Sequence, residues 1–202
     1  MGRPREHGAE TKARLIAAAG ELLSQEGPEA LSVRRLADAV GTTTRAVYSV
    51  FGGKDGLISA MYLEMADTLA KRHFAVPRGE DPIAELRLLA HAYRDAALDH
   101  PHLYPLVVGR PVPGFTPLPE AKARARGGLV RVHDAIDRAI AQKRIVGRER
   151  DAVVNEVWAL LHGLASLEIA GALGSPKEAR SVWNDAVSSI LTGFATKPRR
   201  TR

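Results

Sequence analysis

Apolar residues recur at the three- and four-residue spacing of an α-helix along almost the whole chain, and glycine or proline ends the successive runs. The first run, in residues 11–27, stops at Gly27 and Pro28. No segment alternates apolar and polar residues as a half-buried strand does. The 202 residues are 45% hydrophobic but only 5% aromatic, so a core would consist of aliphatic side chains and alanine. The sequence therefore predicts an all-α protein with one large domain or two small ones.

Residues 31–54 predict two short helices joined by a tight turn. Ser32 can cap the first of these helices, and Gly41 ends it. Thr43 can cap the second, which runs to about Phe51. A longer helix precedes the pair and offers a surface for packing. This arrangement is typical of a helix-turn-helix, whose second helix enters the major groove of DNA.

The polar side chains of this segment suit DNA contact. Arg45 can bond a guanine at two points, whereas Thr44 and Ser49 can reach base edges or phosphates. Tyr48 can place its hydroxyl on a phosphate. The predicted DNA contacts are Arg34, Thr43, Thr44, Arg45, Tyr48, Ser49 and Lys54. From the pattern alone, an ordinary helical hairpin with a solvated polar face is the alternative.

The charge of the chain is informative only locally. The formal net charge is +6, but four basic residues lie in the tail 197–202, and the remainder carries +2. Residues 32–54 contain four basic side chains, Arg35 among them, against one acidic side chain. A small basic patch on a nearly neutral protein predicts phosphate contact over a limited area.

Residues 11–58 resemble the DNA-binding domain of the TetR family of transcriptional regulators. The resemblance rests on the segments "ARLIAAAGELLSQEG", "SVRRLADAVG", "GTTTRAVYSVF" and "GKDGL". It implies that Tyr48 and Lys54 contact phosphates. Two residues depart from the family pattern: Thr42 replaces an apolar residue, and Gly56 stands where a helix former is usual. Inside a helix, Gly56 should cost about 1 kcal/mol relative to Ala.

Four regions follow from these patterns. They are a basic arm (1–10), the helix-turn-helix domain (11–58), a helical effector-binding and dimerisation domain (59–196) and a basic tail (197–202). The sequence "GRPR" at 2–5 resembles arms that place Arg in the minor groove, with a disordered terminus as the alternative.

The segment "VWALLHGLASLEIAG" resembles a C-terminal domain type of the same family, marked by Trp158, His162 and Gly163. Trp158 and His162 are four residues apart and share one helix face. The face could form a pocket wall with a hydrogen-bonding imidazole, or it could be core, with Gly163 allowing close helix approach. We expect a small apolar effector between helices. The predicted lining is Leu103, Tyr104, Phe115, Leu129, His133, Trp158 and His162.

The last two predicted helices are too apolar to be half exposed in a monomer of this size. We expect them to form a four-helix interface in a C2 homodimer. The predicted interface residues are Leu160, Leu164, Leu167, Trp183, Val187, Ile190 and Leu191. The alternative is that both helices pack inside one subunit.

Several classes of protein are disfavoured. The absence of Cys excludes disulfides and thiolate metal sites and suits a reducing cytoplasm. No uninterrupted apolar run reaches the roughly 20 residues of a membrane span, and the N-terminus lacks a signal-peptide pattern. No metal site, cofactor motif or catalytic motif is recognised, since "GGKDG" lacks phosphate-loop spacing.

The sequence thus predicts a ligand-responsive, DNA-binding regulator that represses transcription until a small molecule releases it from a near-palindromic operator. One rival is a helical enzyme using His133 or His162 as a base, which would turn over a substrate and leave no operator footprint. The other is a helical adaptor, which would form a heteromer without salt-dependent DNA affinity.

Overall fold

The computed structural model describes residues 4–108, 123–124 and 126–196, and over these residues the fold is helical without a strand. The helices are α1 (Pro4–Glu26), α2 (Val33–Val40), α3 (Thr44–Phe51), α4 (Lys54–Ala75), α5 (Pro82–Asp99), α6 (Tyr104–Val108), α7 (Val130–Ala141), α8 (Arg150–Ile169) and α9 (Pro176–Gly193). A 3-10 turn at Pro28–Ala30 precedes α2. The all-α prediction is confirmed over the described residues.

Contacts divide the chain into two compact units. Of the described residues, the first unit includes those up to Ala66, the segment from His102 to Val108 and Ala123, and the second includes Asp67–Pro101 and those from Arg124 onward. The division falls inside α4, and the predicted boundary at residues 58–59 lies earlier in the same helix. Because α4 is continuous, no glycine or proline marks this division in the sequence.

The first unit is built on α1, against which α2 and α3 pack. Leu15 of α1, Leu36 of α2 and Val47 of α3 are completely buried. The Arg14 guanidinium donates a hydrogen bond to the carbonyl of Val40, 3.0 Å away, which joins α1 to the end of α2. The three short apolar stripes therefore form one small core.

The first helix begins at Pro4, so residues 4–10 of the predicted basic arm have helical backbone. Residues 1–3 and the basic tail at 197–202 lie outside the described residues. Entry of the arm into a minor groove stays a prediction.

The start of α4 has no room for a side chain at Gly56. A β-carbon placed there would collide with the backbone carbonyl oxygen of Phe51. The chain reaches this position through Gly52 and Gly53, whose φ angles of 73° and 140° favour glycine. The sequence-based expectation that Gly56 only weakens the helix is therefore wrong, because backbone from α3 occupies the space of a β-carbon.

In the second unit, α5 packs against α7, α8 and α9. The Asp81 carboxylate caps α5 by accepting hydrogen bonds from the amides of Ile83 and Ala84, at 2.9 and 3.3 Å. Apolar residues at three- and four-residue spacing form a stripe along α5 that is buried throughout, as expected of the inward side of a helix. That stripe comprises Ile83, Leu86, Ala90, Tyr93 and Ala97.

Two charged residues of α5 are buried, and both are paired. Glu85 is 2% exposed and accepts hydrogen bonds from Arg131 at 2.7 Å, from Arg138 and from the amide of Gly79 at 3.1 Å. Burial opposes ionisation of Glu85, but the two guanidinium groups outweigh it, so its pKa lies below the usual 4.5. Glu85 therefore joins α5 to α7 as a carboxylate.

The second buried charge, Arg94, is 4% exposed and pairs with Glu168 of α8. Arg94 Nε donates to Glu168 Oε2 at 2.8 Å. The same oxygen accepts a hydrogen bond from Trp183 Nε1 of α9 at 2.7 Å. One carboxylate thus joins α5, α8 and α9.

Helix α8 has the length and composition of a membrane span, with a mean hydropathy of 1.2 over its most apolar 18 residues. Among the described residues it is the one helix with this length and composition, although the sequence analysis found no uninterrupted apolar run long enough to span a membrane. The resemblance is weak evidence for a membrane, because core helices pass the same test. Only 28% of the apolar window is buried, so α8 also exposes much of its surface.

We predict that Gly56→Ala lowers the free energy of unfolding by about 1–3 kcal/mol, because the added methyl group displaces the turn between α3 and α4. The control is Gly8→Ala, in α1, where a β-carbon meets nothing within 4 Å. That change should raise the free energy of unfolding by up to about 1 kcal/mol through helix propensity. Urea denaturation of both variants measures the difference. Stabilisation by both substitutions would contradict the steric argument.

Candidate DNA-binding surface and effector cavity

Side-chain caps and a left-handed glycine define the turn between α2 and α3. Ser32 Oγ accepts a hydrogen bond from the amide of Arg35 at 3.2 Å at the start of α2. Gly41 ends α2 with φ 70° and ψ 40°, a conformation that L side chains adopt rarely. Thr43 Oγ1 accepts a hydrogen bond from the amide of Ala46 at 3.2 Å and begins α3. Both predicted caps and the predicted glycine stop are confirmed.

Helix α3 turns one apolar side chain inward and a polar surface outward. Val47 is buried, whereas Tyr48 is 56% exposed. All seven predicted DNA contacts are exposed, so the fold leaves each of them accessible. They are Arg34, Thr43, Thr44, Arg45, Tyr48, Ser49 and Lys54.

The predicted basic patch is smaller than its sequence suggests. Arg35 donates hydrogen bonds to both carboxylate oxygens of Glu26, at 2.7 and 2.9 Å, so its guanidinium is already occupied. Arg34, Arg45 and Lys54 form no ion pair with any described residue. Three cations are therefore available to phosphates or bases.

Thr43 can act at the cap and at DNA together. Its hydroxyl oxygen accepts the bond from the Ala46 amide, which leaves the hydroxyl hydrogen as a donor. The first amides of α3 also lie at a helix N-terminus, where partial positive charge favours an anion. A phosphate oxygen at this end of α3 would meet donors of both kinds.

The second unit contains a cavity of about 140 Å³ between α4, α5, α7 and α8. Most of the side chains in its wall are apolar or aromatic. Its lining is His73, Tyr93, Leu129, Val132, His133, Val154, Asn155, Val157, Trp158 and Leu161. Three of the predicted pocket residues, Leu129, His133 and Trp158, lie in this wall.

The other predicted pocket residues lie elsewhere. His162 stacks on Trp158, with ring centroids 5.6 Å apart and an interplanar angle of 10°, but it does not line the cavity. Leu103 and Tyr104 are buried in the first unit and do not line this cavity. Phe115 falls outside the described residues. Tertiary packing thus separates residues that the sequence analysis grouped.

Among the described residues, no second helix approaches Gly163 closely. A β-carbon built at Gly163 would meet no atom within 4 Å. The interpretation that this glycine permits a close helix contact is therefore wrong for the chain by itself.

His73 is a cavity residue that the sequence analysis missed. It is 1% exposed, and its Nδ1 lies 2.8 Å from the carbonyl oxygen of Gly128. Among the described residues, its Nε2 has no hydrogen-bond partner although it is buried. His73 lies on the side of α4 that buries Met65 and Ala66, seven or eight residues after them, and this helical spacing was the signal that could have revealed it.

The predicted dimer residues divide into core and surface. Trp183, Val187 and Leu191 are 0–4% exposed within one chain, and Leu164 is also buried. These four pack inside their own unit, in agreement with the alternative interpretation: α9 packs on α5 and α8 and buries Trp183, Val187 and Leu191, and Leu164 is buried on α8. The surface residues are Leu167, which is 49% exposed, and Leu160 and Ile190, which are partly exposed.

No cluster of three or more His, Cys, Asp or Glu side chains that could hold a metal ion occurs in residues 4–108, 123–124 and 126–196.

Two family models match the chain. Residues 15–61 match the model for bacterial regulatory proteins of the tetR family, and residues 86–190 match the tetracyclin repressor-like C-terminal domain. The second match covers more than half of the chain and includes the α8 segment with Trp158 and His162. The chain therefore belongs to the TetR family, whose members are DNA-binding transcriptional regulators that act as dimers.

Individual relatives agree with this assignment. The chain is 24% identical to an uncharacterized HTH-type transcriptional regulator of Mycobacterium tuberculosis over 89% of its own length and 79% of the relative's. It is 33% identical to the HTH-type transcriptional repressor BdcR of Escherichia coli over 48% of its length and 46% of BdcR. The fold is similar to that of the TetR-family regulator PfmR from Thermus thermophilus, with a TM-score of 0.75, 20% identity and coverage of 88% and 97%. The family comprises regulators and not enzymes.

Three histidines of the second unit resist protonation. Burial lowers the pKa of His73, His91 and His162 from the usual 6.5, and for His73 the carbonyls of Gly128 and Leu89 partly oppose this effect. In the unfolded chain each would take up a proton near pH 6.5. Below that pH the unfolded state binds more protons, so stability must fall as the pH falls.

We predict that the free energy of unfolding decreases from pH 7 to pH 5.5, with a slope approaching about 1.4 kcal/mol per pH unit for each histidine that stays neutral in the native state. Replacing His73 by Phe should reduce this slope, since one histidine that stays neutral in the native state has been removed. Urea denaturation at four pH values measures both slopes. Equal slopes for the two proteins would show that His73 takes up a proton as readily in the folded chain as in the unfolded chain. Carboxylates with lowered pKa, such as Glu85, contribute only at lower pH.

Proposed function

We propose that the chain is a cytoplasmic, homodimeric repressor that binds a near-palindromic operator and leaves it when a small apolar molecule binds in the second unit. The observation that carries this proposal is the exposed surface of α3, on which Arg45 stands without an ion pair among the described residues. Within the described part of its unit, this guanidinium is not committed to an ion pair, although α3 itself is short and well capped. It is suited to a guanine edge.

Arg45 and Lys54 have different roles in this proposal. Arg45 is the second residue of α3 and can reach base edges when α3 lies in the groove. Lys54 is the first residue of α4, outside α3, where the family pattern has a phosphate contact. Arg34, Thr43, Tyr48 and Ser49 would add further contacts, and Thr44 is an alternative base reader.

The dimer interface would use the apolar surface that α8 and α9 leave uncovered. Leu167 and Val182 are 49% and 39% exposed, and Leu160 and Ile190 are partly exposed. In addition, most of the apolar window of α8 is unburied in one chain. A C2 dimer that pairs α8 and α9 with their copies would remove this surface from water.

The cavity between α4, α5, α7 and α8 would hold the effector. Its volume of about 140 Å³ suits a molecule of about the size of benzene, and its wall is mainly apolar. Binding would lower operator affinity because it favours a conformation of the dimer that does not bind DNA. The sign of regulation agrees with the name of the relative BdcR, which is a repressor.

We predict that Arg45→Ala weakens operator binding by about 1–3 kcal/mol and relaxes sequence preference at one position of each half-site. Lys54→Ala should weaken binding to all sequences similarly, and the log–log salt slope should decrease in magnitude by about 1 for each phosphate that is no longer neutralised. Binding of an operator library at several salt concentrations measures both effects.

The matched control for these variants is Arg35→Ala, because Glu26 already occupies that guanidinium. It should leave the sequence preference and the salt slope nearly unchanged. If Arg45→Ala loses affinity uniformly with its preference intact, Arg45 is a phosphate anchor and the base reader lies elsewhere, with Thr44 the next candidate.

We predict that Leu167→Glu dissociates the dimer, because it would bury an unpaired carboxylate at the interface. The control is Leu88→Glu on α5, since Leu88 is equally exposed at 50% but lies outside α8 and α9. Sedimentation velocity distinguishes the two variants. A folded Leu167→Glu protein that stays dimeric would remove this surface from the proposed interface.

A further inference from the structure

We propose that the cavity selects a small neutral molecule that carries one hydrogen-bond donor, and that His73 Nε2 accepts the hydrogen bond from that donor. This inference rests on the proposed effector role of the cavity and adds the chemistry of its ligand. A phenol or an alcohol of similar size fits the requirement. An ether, a hydrocarbon or an ion of similar size does not.

The contact at Nδ1 determines the tautomer of His73. Nδ1 lies 2.8 Å from the backbone carbonyl oxygen of Gly128, and a carbonyl oxygen can only accept a hydrogen bond. Nδ1 must therefore carry a hydrogen and donate it. In a neutral imidazole, Nε2 then has a lone pair and no hydrogen.

His73 is neutral at physiological pH for reasons of burial. Its side chain is 1% exposed, and burial lowers its pKa from 6.5, while Arg131 lowers it further. No carboxylate contributes to stabilising an imidazolium there. Nε2 thus presents an acceptor, and a ligand must bring the donor.

Within the described residues, no protein group meets that acceptor. Nε2 is buried without a hydrogen-bond partner, although His73 lies in the cavity wall. The carbonyl of Leu89 is a second acceptor that favours a protonated ring, but a carbonyl oxygen carries no hydrogen and cannot satisfy an unprotonated Nε2. Buried polar groups are usually satisfied, and leaving one unmet is unfavourable. The two other buried side-chain nitrogens without a partner, in Arg131 and Arg148, do not belong to cavity residues.

The other residues of the cavity wall limit the size and the polarity of the ligand. A volume of about 140 Å³ is close to that of an engineered apolar cavity that binds benzene, at roughly 150 Å³. Leu129, Val132, Val157 and Leu161 would contact the apolar part of the ligand. The polar residues His133 and Asn155 are partly or fully exposed, so they lie toward solvent. Among the described residues, the buried polar side chains of the wall are therefore His73 and Tyr93, and Nε2 of His73 has no hydrogen-bond partner.

The test uses the full chain and three probes of similar shape: phenol, anisole and toluene. Phenol is a donor, anisole has an acceptor oxygen only, and toluene has neither. Isothermal calorimetry at pH 7.5 should show phenol binding about tenfold more tightly than anisole, because only phenol satisfies Nε2. Phenol should also bind at least as tightly as toluene although phenol is less hydrophobic.

Two histidine variants locate the effect. His73→Phe removes the acceptor, so the ratio of phenol to toluene affinity should fall about tenfold while toluene still binds. His91→Phe is the matched control, because His91 is a partly buried histidine of α5 that does not line the cavity. It should leave the affinity ratio unchanged.

A measurement on the unmodified protein covers the case in which His73→Phe fails to fold. In protein labelled with nitrogen-15, the Nε2 resonance of His73 should have the shift of an unprotonated nitrogen. It should move when phenol is added and stay in place with toluene. A protonated Nε2, or equal responses to both probes, would overturn the inference.

The outcomes separate this inference from the proposed function. If phenol binds with the Nε2 signature but leaves operator affinity unchanged, the ligand chemistry stands and the regulatory role fails. If anisole and toluene bind as well as phenol and all three lower operator affinity, the regulatory role stands and the donor requirement fails. If none of the three binds at millimolar concentration, the inference is overturned.

Discussion

Two buried charged residues of α5, Glu85 and Arg94, hold the helices of the second unit in their positions through three ion pairs. Glu85 joins α5 to α7 through Arg131 and Arg138, and Arg94 joins α5 to α8 through Glu168. A buried charge without its partner is unfavourable by about 3–5 kcal/mol, so these helices cannot slide without a large loss of stability. Tyr93, beside Arg94, lines the cavity. The helices that these pairs join, α5, α7 and α8, also contribute residues to the cavity wall.

The DNA-binding unit depends on short-range contacts instead. Its two short helices begin at hydroxyl caps and end at glycines with positive φ, and these features act within a few residues. The sequence analysis could therefore predict the turn, both caps and the exposed surface of α3. It could not foresee that Glu26 occupies Arg35, because that contact joins residues nine positions apart across a turn. Nor could it see the carbonyl of Phe51 beside Gly56.

For the cavity of the second unit, the sequence was a poorer guide than tertiary packing. Helical spacing identified Leu129, His133 and Trp158, which do line the cavity, but it also included His162, which stacks outside the wall. The spacing of apolar residues indicates which side of a helix is apolar. It does not indicate whether that side faces the core, a cavity or another subunit. For this reason Trp183 looked like a dimer contact, although it is buried against its own unit. His73 was missed because its importance depends on a carbonyl 55 residues away.

The sequence by itself determined the helical class, the caps and turn of the DNA-binding segment and the family. These depend on local propensity, hydrogen bonds over three or four residues and spacing along one helix. Tertiary structure alone decided which apolar side chains are core, which arginines are free and which tautomer His73 adopts. Those properties arise where distant segments meet. The Gly128 carbonyl that holds Nδ1, and so makes Nε2 an acceptor, has no counterpart in any pattern along the chain.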